Sequence, residues 1–133
     1  MNFANLALLL LALGAGYFIV RMLITARPSI SPAEASAAIE AGDAVLIDVR
    51  EPDEWADGVA APAALLPLSD LRGRRERWRP FLAKLGGKRI LVYCHSGARS
   101  GMAASILKSE GFDAANFGGF ARWSAQGLPV RRP

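Results

Sequence analysis

Apolar residues in this chain follow two spacings that alternate along the sequence. Short continuous apolar runs, typical of strands covered on both faces, predict strands at 44–48 and 90–93, and a further short strand is predicted at 113–117. Stretches with helical spacing or helix boundary signals predict helices at 31–41, 100–110 and 120–126. Since helices and strands alternate, the predicted fold class is α/β, with a mostly parallel sheet flanked by helices.

Two of these helices have defined ends in the sequence. Ser31 is the predicted N-cap of the first, Pro32 its first helical position, and Glu34 is placed to complete a capping box. Gly42 is expected to stop that helix, and Gly111 to stop the one that begins near residue 100. In that later helix, the predicted inward face consists of Met102, Ala103, Ile106 and Leu107.

A longer apolar stretch at the N-terminus predicts one transmembrane helix. Residues 3–20 carry no charge, and apolar residues continue after Arg21. At about 1.5 Å per residue, this stretch nearly spans the ~30 Å hydrocarbon core of a bilayer. We expect the membrane contact to run from Phe3 to Thr25, within an anchor and short linker at 1–27, and the folded domain to occupy 28–133.

Charge around the apolar stretch predicts its orientation. Arg21 and Arg27 follow it, whereas no Lys or Arg precedes it. The positive-inside rule then places the C-terminal domain in the cytoplasm, as a single-pass protein of a bacterial inner membrane. A signal peptide is the alternative, but it requires positive charge before the stretch and a small-residue cleavage site after it, and neither is present. A buried helix is the other alternative.

The only cysteine of the chain, Cys94, lies where a predicted strand leads into a predicted helix. Between them lies a turn of small residues that ends at Arg99. The sulfur should therefore lie near the positive end of the helix, among N–H groups that have no partner within the helix. Such surroundings lower the pKa of a thiol from about 8.5 and favour the nucleophilic thiolate. The alternative is a small buried apolar side chain.

Cysteine and histidine counts limit other chemistry. A single cysteine cannot form an internal disulfide, and no Cys/His cluster has metal-ligand spacing, so we expect no metal and no cofactor. His95 directly follows Cys94, and we expect a loop residue there rather than a catalytic base.

Positive charge is concentrated in one segment, from Arg72 to Arg89. It holds eight of the 16 Lys and Arg residues against one acid, Glu76. A solvated helical face is the default interpretation. Because the domain is expected near the membrane, contact with anionic lipid is the alternative. We expect no nucleic-acid binding, since no aromatic interleaving or recognition motif accompanies the charge.

Four motifs resemble, in order, those of single-domain rhodaneses, a family of sulfurtransferases. The resemblance extends from about residue 30 to residue 130. The motifs are Leu46-Ile-Asp48-Val-Arg50-Glu51-x-x-Glu54-Trp55, Cys94-x-x-x-x-Arg99, Gly118-Gly119-Phe120-x-x-Trp123 and Gly127-Leu128-Pro129-Val130.

This resemblance implies a rhodanese-like fold and a function. Cys94 would take a sulfane sulfur from a small anionic donor such as thiosulfate, and the resulting persulfide would pass it to a thiol or a cyanide-like acceptor. Asp48 and Arg50 would support the active-site loop, although a polar turn with an internal ion pair is the simpler interpretation of the acids there. The substrate-binding loop would comprise His95, Ser96, Gly97, Ala98, Arg99 and Ser100.

Two features leave alternatives open. Residues 58–68 depart from the family pattern, with Val59 where the family has histidine, which affects that loop and any partner it binds. A related cysteine phosphatase would have five residues between its cysteine and arginine, whereas four intervene here. A membrane-tethered persulfide carrier or binding module without turnover is the other alternative. Because the anchor is not expected to contribute to the Cys94 loop, a chain starting near Pro28 is expected to be soluble and active.

Overall fold

The structure is a computed structural model that describes residues 1–133. Its central sheet has four parallel strands in the order β3-β1-β4-β5. These strands are β1 (Ala44–Asp48), β3 (Ala64–Leu65), β4 (Arg89–Cys94) and β5 (Ala114–Gly119). The predicted α/β class with a parallel sheet is confirmed. β1 and β4 form at the continuous apolar runs and β5 near the predicted strand at 113–117, whereas β3 was not predicted.

Helices cover both faces of this sheet. Alternate side chains of β1 and β4 enter two separate apolar clusters, as the twofold repeat of a strand requires. One cluster packs against α3 (Leu68–Leu71), α4 (Trp78–Ala83) and α5 (Ala98–Ser109), and the other against α2 (Pro32–Glu40) and α6 (Phe120–Ser124). Trp78 and Trp123 are the largest buried side chains, one in each cluster.

A second, two-stranded sheet was not predicted. It pairs β2 (Val59–Ala60) antiparallel to β6 (Val130–Arg131). Strands of two residues show no periodicity in the sequence, so only the folded chain reveals them. This pairing fixes the segment that departs from the family pattern against the end of the domain.

Helix boundaries agree with the sequence in part. Ser31 Oγ accepts a hydrogen bond from the Glu34 N–H at 3.2 Å, as expected for an N-cap. Glu34 does not return the bond, so the predicted capping box is wrong. A capping box forms instead across a 3₁₀ turn at Pro52–Glu54, where the Glu51 N–H donates to Glu54 Oε1 at 3.2 Å.

The basic segment does not form one helical face. Its chain turns sharply between α3 and α4, because the Asp70 carboxylate accepts three backbone N–H groups at 2.9–3.2 Å. Arg75 adopts a left-handed φ of 57° in this turn and pairs with Glu110. Most of the other cations are exposed, and the side chain of Arg74 is 90% accessible.

The N-terminal helix, α1 (Phe3–Ala26), is long and apolar enough to cross a membrane, and none of its residues is buried. Its last turn lies directly against α5. A methyl group at Gly101 would lie 2.1 Å from the Thr25 carbonyl oxygen, so only glycine permits this approach. Met102, predicted in the core, is instead exposed in the groove between the two helices.

Candidate active site

Cys94 is the last residue of β4, and its sulfur lies beneath the start of α5. The Gly97 N–H donates to the sulfur at 3.0 Å, and the Ser100 hydroxyl lies 3.3 Å from it. Gly97 reaches this position with a φ of 98°, a left-handed conformation that glycine adopts at little cost. The loop therefore turns its hydrogen-bond donors inward toward one sulfur atom.

These donors decide the charge of the sulfur. Burial alone raises the pKa of the Cys94 thiol, because it removes water from the anion. Hydrogen bonds from the Ser100 hydroxyl and from the N–H groups of Ser100, Gly97 and Ser96 act in the opposite direction and outweigh burial. The net effect is a pKa below the ordinary value of a thiol, so the site favours the thiolate.

The sulfur is enclosed as well as activated. Cys94 has 0% of its surface exposed, whereas the neighbouring residues His95 and Ser96 are exposed. The thiol therefore has no surface exposed to solvent in this structure. His95 is an exposed residue in the loop between β4 and α5, where a loop residue was expected.

Arg99 forms an ion pair with Glu54 and no hydrogen bond to the Cys94 sulfur. Arg99 Nη2 donates to Glu54 Oε2 at 2.8 Å, and a second bond joins Nη1 to Oε1. The Arg99 hydrogen bonds lower the pKa of Glu54 from 4.5 to about 2, and Glu54 in turn raises the pKa of Arg99. Sequence reasoning placed Glu54 in a charged turn but did not identify it as the partner of Arg99.

Asp48 and Arg50 form a buried ion pair beside the loop. Arg50 Nη2 donates to Asp48 Oδ2 at 2.7 Å and to the Gly58 carbonyl at 2.8 Å. The guanidinium also lies 5.0 Å from the ring centre of Phe120. This pair holds the segments around the loop but forms no hydrogen bond to the loop itself.

Other loop positions serve packing. A methyl group at Gly119 would lie 2.6 Å from the His95 carbonyl oxygen, so this glycine of the Gly-Gly motif allows close backbone approach. Ala98 begins α5 and lines the groove of about 500 Å³ between α1 and α5. Gly97 would likewise clash with the Ala26 carbonyl if it carried a side chain.

The last turn of the anchor also takes part. Asn116, which sequence reasoning did not identify, donates from Nδ2 to the Thr25 carbonyl at 3.1 Å and to the Gly97 carbonyl at 3.0 Å. The expectation that the anchor contributes nothing to the Cys94 loop is therefore wrong. A chain starting near Pro28 would lack two acceptors of this buried amide, the Thr25 carbonyl and the Arg27 carbonyl, which lies 3.4 Å from Asn116 Nδ2.

The Glu54–Arg99 pair predicts a pH dependence of stability. A carboxylate whose pKa is lowered in the folded state stabilises that state above its unfolded pKa, and loses this effect as the pH falls toward its folded pKa. Glu54→Gln should reduce the free energy of unfolding by about 0.5–1 kcal/mol at neutral pH. The difference in the free energy of unfolding between this variant and wild type should disappear as the pH falls from 4.5, the ordinary pKa of the carboxyl group, to about 2, the pKa of Glu54 in the folded protein.

Denaturant unfolding at a series of pH values measures this difference. Glu40→Gln is the control, because Glu40 is exposed and belongs to none of the ion pairs. An effect of Glu54→Gln that stayed constant from pH 7 to pH 2 would show that the ion pair does not contribute.

Comparison with known proteins agrees with this geometry. The family described as rhodanese-like domain matches residues 31–126. An uncharacterized protein of Bacillus subtilis, YqhL, is 38% identical over 85 residues, which are 62% of this chain and 63% of that protein. This match therefore spans less than two thirds of the Bacillus protein.

Two further comparisons cover more of the related chain. A protein of Allochromatium vinosum named sulfurtransferase is 33% identical over 94 residues, which are 68% of this chain and 81% of that one. The crystal structure of a rhodanese-related protein from Thermoplasma volcanium has a TM-score of 0.64 at 29% identity, covering 79% of this chain and 98% of that one. With its parallel sheet, its cysteine loop and these matches, the chain belongs to the rhodanese-like domain family.

Proposed function

We propose that this protein is a sulfurtransferase that carries a sulfane sulfur on Cys94 as a persulfide. The observation that carries the proposal is the position of the Cys94 sulfur, which accepts hydrogen bonds from the loop at the start of α5. These donors stabilise a single negative charge on sulfur, and both the thiolate and the persulfide carry that charge.

The reaction consists of two displacements on sulfur. The Cys94 thiolate attacks the outer sulfur of a donor such as thiosulfate, a new S–S bond forms, and sulfite leaves with the electron pair of the old S–S bond. An acceptor such as cyanide or a thiolate then attacks the outer sulfur of the persulfide. The bond to Cys94 breaks, and its electron pair returns to the cysteine as thiolate.

Arg99 supports this chemistry through position rather than through direct contact. Its guanidinium is held by Glu54, so the first turn of α5 is tied to the 3₁₀ turn after β1. The backbone N–H groups of the loop are left as the donors nearest to the sulfur. A small anionic donor is therefore recognised by N–H groups together with the Ser100 hydroxyl.

The phosphatase alternative fits the geometry less well. A phosphate dianion calls for a wider loop and a guanidinium turned toward it. Here four residues separate Cys94 from Arg99, and the guanidinium pairs with a carboxylate. A binding module without turnover would form the same Cys94 persulfide but would not pass the sulfur to an acceptor. An assay of repeated turnover therefore distinguishes a binding module from a sulfurtransferase.

Cys94→Ser should abolish thiosulfate-to-cyanide sulfur transfer, because a hydroxyl in this loop has a far higher pKa than a thiol. The fold should persist, since serine is close to cysteine in size. Thiocyanate formation by the full-length protein in detergent measures the activity, and thermal unfolding checks the fold.

A second variant tests whether the loop, rather than any thiol, is required. Cys94→Ser combined with Ser105→Cys supplies a thiol at an exposed position on α5, outside the loop. This double variant should stay inactive. Activity of either variant above a few per cent of wild type would exclude Cys94 as the sulfur carrier.

We also propose that α1 spans the membrane and places the domain in the cytoplasm. Support comes from its 24-residue length, its complete lack of buried residues and the arginines at its C-terminal end. Tyr17 and Phe18 lie one turn before Arg21, where a spanning helix would leave the hydrocarbon and aromatic side chains are favoured. A reducing compartment also suits a single reactive cysteine.

Reporter fusions at the C-terminus test this orientation. A reporter that works only in the cytoplasm should be active, and one that works only outside it should be inactive. The reverse pattern would overturn the orientation. Release of a shortened mature form would show that the segment from Phe3 to Thr25 is a signal peptide.

Anionic lipid is the proposed partner of the exposed cations in the basic segment. Arg72 Nη1 lies 3.4 Å from Met102 Sδ, and Met102 lines the groove beside α1. The turn between α3 and α4 therefore begins next to the anchor helix. Basic residues near an anionic surface each contribute about 1 kcal/mol to binding.

Amide hydrogen exchange in nanodiscs tests the lipid contact. Residues 72–79 should exchange more slowly in discs of anionic lipid than in discs of zwitterionic lipid, and Arg74→Gln with Arg77→Gln and Arg79→Gln should remove the difference. Arg132→Gln removes an exposed cation outside the basic segment and is the control. This variant should leave the difference in exchange between the two lipids unchanged. Equal exchange of residues 72–79 in both lipids would refute the contact.

A further inference from the structure

Asn116 is a buried amide between the anchor helix and the Cys94 loop. It lies on β5, next to β4, and is 4% exposed. Its Oδ1 accepts the Gly118 N–H at 2.9 Å, and its Nδ2 donates to the Gly97 and Thr25 carbonyls. Because a backbone N–H can only donate and a carbonyl can only accept, these partners fix which side of the amide is oxygen.

The fixed amide places an acceptor beside the Ser100 hydroxyl. Ser100 Oγ lies 2.7 Å from Asn116 Oδ1 and 3.3 Å from Cys94 Sγ, with the Gly118 carbonyl farther away at 3.4 Å. A hydroxyl has one proton, so it cannot donate to the amide and to the sulfur at once. The buried Ser100 hydroxyl therefore has three competing acceptors, and its shortest contact is to Asn116 Oδ1.

We propose that Asn116 is a positioning residue that competes with the Cys94 sulfur for the Ser100 hydroxyl proton. When the sulfur is a neutral thiol, Ser100 donates to Asn116 Oδ1. When the sulfur is a thiolate, or a persulfide as in the proposed function, its charge draws the hydroxyl proton away from the amide. Asn116 then keeps the Gly118 N–H on its oxygen, so the amide remains paired.

This competition makes ionisation of Cys94 cost one Ser100–Asn116 hydrogen bond. Charged groups near the loop are the Glu54–Arg99 pair with Glu51 beside it, Arg122, which packs against Gly118, and, on the other side of β4, the buried Asp48–Arg50 pair. His95 is the neighbouring titratable group and faces solvent. Ser100 and Asn116 carry no charge, so they influence the sulfur only through the position of one proton.

The pH dependence of Cys94 alkylation tests the proposal. Cys94 is the only cysteine, so the rate at which iodoacetamide modifies the full-length protein in detergent reports this thiol alone. The pH midpoint of the rate is the readout, because access to the buried sulfur changes the maximal rate instead. No sulfur donor or acceptor is needed, so failure of the proposed function would leave this assay intact.

Three variants give distinct expectations. Ser100→Ala should raise the midpoint by about one pH unit, since the thiolate loses a donor. Asn116→Ala should lower it, because Ser100 loses its nearest competing acceptor and keeps only the more distant Gly118 carbonyl beside the sulfur. Asn116→Asp should raise it, because a carboxylate holds the Ser100 proton more strongly and adds negative charge.

Competition predicts that the two Asn116 variants shift the pH midpoint of alkylation in opposite directions. A purely structural role of Asn116 would shift the midpoint of both variants in the same direction. In the Ser100→Ala background, Asn116→Ala should no longer lower the midpoint. If Asn116→Ala loses cooperative unfolding, Asn116→Asp is compared in the wild-type and Ser100→Ala backgrounds, because the added charge raises the midpoint in both and competition adds a further rise only where Ser100 is present. A raised midpoint in Asn116→Ala, or an unchanged or lowered midpoint in Asn116→Asp, would overturn the proposal.

Discussion

The hydrogen bonds that converge on the Cys94 sulfur are the interaction on which the rest of this structure depends. A parallel strand ends at Cys94 and a helix begins four residues later, so unpaired N–H groups and a buried sulfur meet at one edge of the sheet. Burial raises the pKa of the Cys94 thiol, but the hydrogen bonds from these donors lower the pKa by more, so the thiolate is favoured. A loop of this shape stabilises one negative charge on sulfur without any cation in contact with it.

The two ion pairs around the site explain why no cation is needed. Asp48 and Arg50 neutralise each other in the interior, where a lone charge would be strongly destabilising. Glu54 neutralises Arg99 at the mouth of the loop. With both arginines paired to carboxylates, the hydrogen bonds to the sulfur come from backbone N–H groups and one hydroxyl. This arrangement suits a singly charged sulfur better than a phosphate dianion.

Local features of the site and fold could be predicted from the sequence, whereas long-range pairings could not. Continuous apolar runs identified β1 and β4, and the position of Cys94 after such a run placed it at the start of a helix. By contrast, Glu54 meets Arg99 across 45 residues, and Asn116 meets Thr25 across 91. These contacts depend on how the 3₁₀ turn, β5 and α1 pack against the rest of the domain. The spacing of apolar residues predicts single helices and strands but not how they pack together. Likewise, hydropathy identified α1 but not its contact with Gly101.

Intact mass of the wild-type protein, measured after thiosulfate and again after cyanide, is the decisive test of whether Cys94 carries the sulfur. Thiosulfate should add the mass of one sulfur atom, the added sulfur should map to the peptide containing Cys94, and cyanide should remove it with formation of thiocyanate. No mass gain with thiosulfate or with other sulfane sulfur donors, or a gain located away from Cys94, would contradict the role of Cys94 as the sulfur carrier.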